Sequence, residues 1–162
     1  MAQNDLDIFG PQGFSNGVVV KAGSREMGDY PAWTSTGKNK VTTVSVNPGI
    51  TSGAALAAYG GAMGRVSSGG VVGHEANHAY DERVILKGRN PRTAQESYDT
   101  ERRAYALQGQ ILRAEGVSQY GDHALWSESW RGRRDEAELM NQAARYAAWN
   151  WRAIPGPVPN PW

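Results

Sequence analysis

Residues 71–82 read VVGHEANHAYDE, and within them His74 and His78 stand four positions apart, with Glu75 directly after the first. Residues four apart lie one turn above each other on a helix, so the two imidazoles would project from one face at a separation that one zinc ion can bridge. Glu75 would lie about 100° further round the helix, where it cannot join the two ligands but can hydrogen-bond a metal-bound water. The pattern therefore predicts a zinc site with Glu75 as the base.

The residues around this motif favour a helix. Ser67-Ser68-Gly69-Gly70 is typical of a helix start and Gly88 of a helix stop, which places the first long helix at about residues 69–87. Val71 and Ile85 fall on the same face as the two histidines, so we expect that face to point inward. An inward-facing pair of histidines favours metal binding over a chance pair on a surface helix.

A second helix follows, and it offers the third protein ligand that a tetrahedral catalytic zinc needs. Pro91-Arg92-Thr93 predicts its start and Gly116 its end, giving a helix over roughly residues 94–115. Glu101 lies at the centre of an apolar arc of this helix, where a carboxylate is unfavourable unless something binds it. The arc that we expect to be buried comprises Ala94, Tyr98, Tyr105, Gln108, Ile111 and Leu112.

Other side chains compete with Glu101 for the third position. Asp122 and His123, in a loop after the second helix, stay open as alternative ligands. Glu96 is rotated away from the apolar arc and is interpreted as a solvated charge. Asp81, one turn beyond the histidine pair, is better placed to orient an imidazole than to complete the ligand set, and Glu82 could do the same.

The whole chain predicts an α+β domain with three main helices, a small antiparallel sheet and long loops. Val18–Val20 and residues 41–46 have the composition of strands, and Asp135 to about Trp151 is the third helix. The proline-rich tail over residues 155–162 is extended, because alternate prolines forbid a helix. At 162 residues we expect a single domain over residues 1–154, followed by this tail.

The composition excludes several classes of function. Lys+Arg number 17 and Asp+Glu 16, and this balance gives no electrostatic reason to expect nucleic acid or an anionic membrane as partner. The chain has no cysteine, which excludes a disulfide framework, a thiolate metal site and a cysteine nucleophile. It starts without a signal-peptide pattern, and its longest apolar run, Gly53–Met63, is too short and glycine-rich to span a bilayer.

The stretch from residue 71 to Tyr120 resembles the zincin metallopeptidases, in particular the small zincin-like domains of bacterial effectors and of polymorphic toxins. The resemblance rests on VVGHEANHAYDE, on ESYDTERRAYALQGQILRAEG (residues 96–116) and on Tyr120. In those domains an H-E-x-x-H-A helix precedes a helix whose Glu-x-x-Ala motif supplies the third zinc ligand, which Glu101–Ala104 matches. The third histidine of metzincins and the Asn-Glu-x-x-Ser-Asp helix of thermolysin-like enzymes are missing, so neither subgroup is supported.

The resemblance implies a zincin fold and zinc-dependent hydrolysis of a peptide bond, with Zn²⁺ held by the two histidines and Glu101. Zinc lowers the pKa of its bound water towards 7, and Glu75 takes the proton as the water attacks the carbonyl carbon and then protonates the leaving amine. Tyr120 or His123 could donate the hydrogen bond that stabilises the oxyanion, or both could be ordinary loop residues. Residues 42–45 have the composition for pairing with an extended substrate, or form a plain structural strand.

The role that the resemblance implies is a secreted effector or toxin domain, delivered into a target cell by a specialised secretion system without a cleaved signal peptide. Its substrate would be a protein or peptide, and an immunity protein would be a further partner. Two alternatives use the same residues. One is a zinc amidase or endopeptidase that cleaves peptidoglycan cross-links, and the other is a degenerate zincin that serves as an interaction domain, with structural zinc or none.

Overall fold

The computed structural model describes residues 7–11, 15–23, 31–48 and 67–115. In these ranges the chain is α+β, and one helix packs against a second helix on one side and against a small sheet on the other. The strands are β1 (Val18–Ala22), β2 (Ala32–Thr36) and β3 (Thr42–Val46), the helices are α1 (Ser68–Tyr80) and α2 (Ala94–Ala114), and single turns of 3₁₀ and π-helix lie at Asp7–Phe9 and Asp81–Ile85.

The three strands form one mixed sheet in the order β1-β3-β2. β3 runs parallel to β1, with Val20 opposite Val44, and antiparallel to β2, with Thr34 opposite Val44. The strands predicted at 18–20 and 41–46 are confirmed, but the expected antiparallel sheet is wrong for the β1–β3 pair. β2 and β3 are joined by a tight turn and run antiparallel, whereas the chain between β1 and β3, residues 23–41, is long enough for the crossover that a parallel pair needs.

The sequence analysis missed β2. Its inward-facing residues are Ala32, Thr34 and Thr36, which are small or polar, whereas its largest apolar side chain, Trp33, is 40% exposed on the outer face. The usual alternation of apolar residues inside and polar residues outside is therefore inverted.

The helix that carries the two histidines begins as predicted, and the whole helical segment stops before Gly88 as predicted. The hydroxyl of Ser67 accepts a hydrogen bond from the N–H of Gly70 (2.9 Å), which satisfies one of the free donors of the first turn. Gly88 ends the whole segment at φ +78°, a backbone conformation that glycine adopts without strain. The expectation of a single α-helix to residue 87 needs one change, because α1 passes into the π-helical turn at Asp81.

The π-helical turn changes which residues face inward. The N–H of Leu86 donates to the carbonyl of Asp81 (2.7 Å), five residues back instead of four. The extra residue rotates the side chain of Ile85 away from the histidine face, and Ile85 is 47% exposed while Val71 is buried. The expectation that Ile85 points inward is therefore wrong.

The second helix matches its prediction closely. Thr93 caps it, since its hydroxyl accepts a hydrogen bond from the N–H of Glu96 (3.1 Å). Gly73 lets α1 approach α2, because a Cβ at this position would lie 2.1 Å from Cδ1 of Ile111. Of the predicted arc, Ala94, Tyr105, Gln108 and Leu112 are buried, and Tyr98 and Ile111 are partly buried.

The predicted third helix at residues 135–151 and the tail at 155–162 lie outside the described residues. In the part of the chain that the structure describes, no helix is both long enough and apolar enough to cross a membrane.

Candidate metal centre

Two histidines of α1 and one glutamate of α2 meet in a single cluster. Nε2 of His74 and Nε2 of His78 are 3.1 Å apart. The carboxylate of Glu101 bridges them, with Oε2 at 3.5 Å from Nε2 of His74 and Oε1 at 3.5 Å from Nε2 of His78. One ligand atom from each residue lies within 4.8 Å of the others, so a single metal ion could contact all three. The predicted ligand residues are therefore brought together.

Helix packing positions these side chains. The four-residue spacing places His78 one turn beyond His74, and α2 packs along α1 so that Glu101, 8% exposed, faces both. The ring of Tyr105, one turn after Glu101, lies edge-on to the ring of His74 with 4.7 Å between the ring centres. Nδ1 of His74 is buried and, within the described ranges, has no hydrogen-bond partner, so the ring is oriented by its Nε2 contacts and by packing against Tyr105.

Neighbouring charges determine the direction in which the pKa values of His78 and Glu101 are shifted. Burial alone would lower the pKa of His78, but the carboxylate of Glu101, helped by the charges of Glu75 and Asp81, raises it to about 9. Burial alone would raise the pKa of Glu101, but His78 and His74 hold it well below its usual range. A cation that binds these atoms must displace a proton from the imidazole, so metal and proton compete for the same place.

The donor set could hold a metal ion. Two imidazole nitrogens and one carboxylate are donors that metals such as zinc accept, and three protein ligands leave a fourth tetrahedral position for a water or a substrate.

Glu75 lies beside the cluster and is held by the sheet. Its side chain is buried, and the hydroxyl of Thr34 in β2 donates to its Oε2 (2.6 Å) and lies 3.3 Å from its backbone carbonyl oxygen. The same glutamate borders an apolar cavity of about 130 Å³ between α1 and the sheet, whose walls include Val44 and Val71. Sequence reasoning missed Thr34, because nothing in the sequence placed a strand at this position.

The competing carboxylates have other partners. Asp81 is fully buried, accepts a hydrogen bond from Asn77 (3.1 Å) and pairs with Arg103 (2.9 Å). The hydroxyl of Thr36 donates to Glu82 (2.6 Å). The expectation that Asp81 or Glu82 orients an imidazole is therefore wrong, because their oxygens bind these groups instead.

Glu96 is not simply a solvated charge. Two nitrogens of Arg89 donate to its two carboxylate oxygens, at 2.8 and 2.9 Å, and the N–H of Arg92 donates to it at 2.7 Å. The guanidinium of Arg89 and the N–H of Arg92 lower the pKa of Glu96 to about 2. The Arg89–Glu96 ion pair joins the loop before α2 to the first turn of that helix, so Glu96 has a structural role.

Three of the predicted functional residues, and the predicted end of the second helix, lie outside the described part of the chain. Tyr120 and His123, the candidates for stabilising an oxyanion, and Asp122, the alternative ligand, lie outside the described residues, as does Gly116. Their roles stay predictions.

Of the two interpretations of residues 42–45, pairing with a substrate is wrong and the structural strand stands, because β3 is the central strand of the described sheet and has both edges paired. The strand that contacts Glu75 is β2, an edge strand of the described sheet. Gly37 donates to the carbonyl of Val41 and Pro31 accepts from the N–H of Asn47, the two residues that flank β3. In the alternation of an antiparallel pair, Ala32, Thr34 and Thr36 therefore direct their backbone N–H and carbonyl groups away from β3.

One side chain closes part of this edge. The amide of Asn90 accepts from the N–H of Thr36 (2.6 Å) and donates to its carbonyl (3.0 Å), as a paired strand would. The backbone N–H and carbonyl of Thr36 are thus occupied by Asn90. Among the described residues of this edge, Ala32 and Thr34 are the ones whose backbone groups could pair with another strand.

Comparison of the sequence with models of known families and with curated proteins, and of the structure with solved structures, finds no match.

Proposed function

We propose that the protein is a zinc-dependent peptidase of the zincin type, with His74, His78 and Glu101 as the metal ligands and Glu75 as the general base. The observation that supports it is the meeting of two imidazole nitrogens and a buried carboxylate within 4.8 Å, directly beside a buried glutamate. A carboxylate buried between two histidines is unfavourable unless a proton or a cation compensates its charge.

The residues of the chain have distinct tasks in this proposal. Bound zinc would polarise the scissile carbonyl and lower the pKa of a coordinated water. Glu75 accepts the proton of the attacking water at its carboxylate and hands it to the leaving amine nitrogen. Tyr120 or His123 donates to the developing oxyanion. An extended peptide pairs with the backbone of Ala32 and Thr34 on the edge of β2.

The proposed setting is an effector or toxin module that is delivered into a target cell, acts on a protein or peptide, and is restrained by an immunity protein. Two alternatives would replace this proposal: an enzyme that cleaves peptidoglycan cross-links, and an inactive interaction domain. Expression of the protein in the cytoplasm and in the periplasm distinguishes the peptidoglycan enzyme from the peptidase, because an enzyme that cleaves the cell wall should be toxic only in the periplasm.

Metal analysis tests the ligand set. Wild-type protein and Glu75→Gln should each bind about one zinc per chain, whereas Glu101→Gln should bind zinc at least about a hundredfold more weakly, since it loses a charged ligand next to two imidazoles. If Glu101→Gln bound zinc as tightly as the wild type, the third ligand would lie elsewhere, with His123 and Asp122 as the next candidates.

Cleavage assays test the base. The wild type should cleave peptides from a fluorescence-quenched library, and Glu75→Gln should retain the metal and lose at least about a hundredfold in kcat. A wild type that binds zinc and cleaves neither peptides nor peptidoglycan would leave the interaction domain as the surviving alternative.

A further inference from the structure

We propose that Thr34 is a positioning residue for Glu75, so that the sheet as well as the helix prepares the base for catalysis. The inference rests on the proposed function, since it assigns a role to a residue that would not itself touch the substrate's reacting atoms. Its starting point is the 2.6 Å hydrogen bond from Thr34 Oγ1 to Oε2 of Glu75.

This contact is short, buried and specific to one oxygen. Thr34 is 7% exposed and Glu75 is 6% exposed, so water competes little for either group. Hydrogen bonds to a charged acceptor are shorter and stronger than neutral ones, and this one fixes Oε2. Among the described residues no hydrogen bond is made to Oε1, which leaves Oε1 as the oxygen that can take a proton.

The same hydroxyl also limits the rotation of the glutamate. Thr34 Oγ1 lies 3.3 Å from the backbone carbonyl oxygen of Glu75 as well as 2.6 Å from its carboxylate, so one hydroxyl contacts both the main chain and the carboxylate of this residue. Thr34 is itself fixed by the register of β2 against β3, in which it stands opposite Val44. The orientation of the base is thus set by the pairing of two strands.

The fold contains an internal control for this idea. Two residues further along β2 and on the same face, Thr36 donates to Glu82 at the same 2.6 Å, and both groups are buried. Both contacts join β2 to the helical segment, so both contribute to stability. Only the Thr34 contact ends on the residue next to a ligand of the metal centre, so only its loss should change catalysis.

The variants are Thr34→Val, which keeps the shape and removes the donor, Thr34→Ser, which restores a hydroxyl, and Thr36→Val as the matched control. We expect Thr34→Val to lower kcat by about ten- to a hundredfold, with KM within about threefold of the wild type and zinc still bound. Thr34→Ser should recover most of the kcat. Thr36→Val should lower the melting temperature by a similar amount and leave kcat within about twofold.

A second measurement needs no activity. In metal-free protein labelled with ¹³C-glutamate, the carboxyl resonance of Glu75, assigned by its loss in Glu75→Gln, should shift in Thr34→Val. It should return towards its wild-type position in Thr34→Ser and stay unchanged in Thr36→Val. If Thr34→Val does not fold, Thr34→Ala takes its place in both measurements.

The outcomes separate this inference from the proposed function. If the wild type cleaves peptides and Thr34→Val does so with the same kcat as Thr36→Val, the positioning role is overturned and the peptidase stands. An unchanged Glu75 resonance in Thr34→Val overturns it in the same way. If the wild type binds zinc but cleaves nothing, the proposed function fails and the catalytic role of Thr34 fails with it.

Discussion

At the scale of single residues, the neighbouring buried carboxylates of Asp81 and Glu82 differ in the group that compensates their charge. Asp81 is paired with Arg103, whereas Glu82 accepts its hydrogen bond from the neutral hydroxyl of Thr36. Burial is the main cause that raises the pKa of Glu82 to about 7; the Thr36 hydrogen bond and the charge of His78 oppose the rise, and the charges of Glu75 and Asp81 add to it. The folded protein therefore holds a proton on Glu82 that the unfolded chain releases at lower pH.

We predict that Glu82→Gln stabilises the protein at alkaline pH. Between an ordinary pKa near 4.5 and a folded value of about 7, the folded state binds more protons, so stability falls as pH rises through this window and stays low above it. The amide removes this loss and can still accept from Thr36. In chelator-treated protein the gain should be near zero at pH 4 and about 2 to 3 kcal/mol at pH 8, by denaturant unfolding.

Glu96→Gln serves as a control, because its effect on stability should have the opposite sign to that of Glu82→Gln. The pKa of Glu96 is lowered to about 2 by Arg89 and Arg92, so its contribution to stability is present above pH 4.5 and is lost as pH falls through 2. The variant should therefore be less stable than the wild type at pH 7. If Glu82→Gln showed the same difference from the wild type at pH 4 and at pH 8, Glu82 would not titrate as argued.

At the scale of elements, the contact between α1 and α2 sets the geometry of the candidate metal centre, because each helix contributes proposed ligands to it. Gly73 directly precedes His74, and its missing side chain makes room for Cδ1 of Ile111. Gly73→Ala gains about 1 kcal/mol of helix propensity but forces the helices apart or Ile111 out of place, at a cost of about 1 to 3 kcal/mol.

We therefore predict that Gly73→Ala lowers both stability and zinc affinity, and that Ile111→Val restores both by removing the clashing methyl group. In the Ile111→Val background Gly73→Ala should be neutral or stabilising. Unfolding curves of the four proteins of this double-mutant cycle, with zinc titrations, measure the coupling. Equal losses in the two backgrounds would mean that the Gly73–Ile111 contact does not set the helix spacing.

These elements differ in how far their sequence determines them. Ser67 and Thr93 cap helices through contacts within three residues, and Glu101 stood out because its own helix placed it in an apolar arc, so local patterns sufficed. β2 could not be predicted because its inward residues are small or polar and acquire their burial from α1 and β3. The partners of Asp81 and Glu82 come from distant segments, and the π-helical turn shifted Ile85 outward, which no periodicity of 3.6 residues anticipates.

At the scale of the whole molecule, stability should respond to pH in opposite directions with and without zinc. In metal-free protein the pKa of His78 is raised to about 9, so its contribution is complete below pH 6.5 and is lost as pH rises through 9. Zinc, in the proposed site, would bind only deprotonated imidazoles, so the stability that it adds would be present above about pH 6.5 and would be lost as protons displace the metal at lower pH.

The prediction is that the difference in melting temperature between zinc-bound and chelator-treated protein grows from pH 5 to pH 9. The zinc released on acidification should be replaced by up to about two protons per chain. Melting curves across this range, with zinc held in excess in one series, provide the measurement. Identical melting temperatures for both forms throughout would show that the two histidines are not ligands.

The three proposed ligands all lie in one helical hairpin, between residues 74 and 101, while the threonine that holds the base comes from a separate strand near residue 34. Closing a short loop loses less chain entropy than joining distant segments, so the hairpin should form early in folding and the sheet should dock afterwards. We expect metal capture to precede the ordering of Glu75. In the proposed peptidase, a chain assembled in this order would bind zinc before it could hydrolyse a peptide bond, and it would become active only with the last tertiary contact.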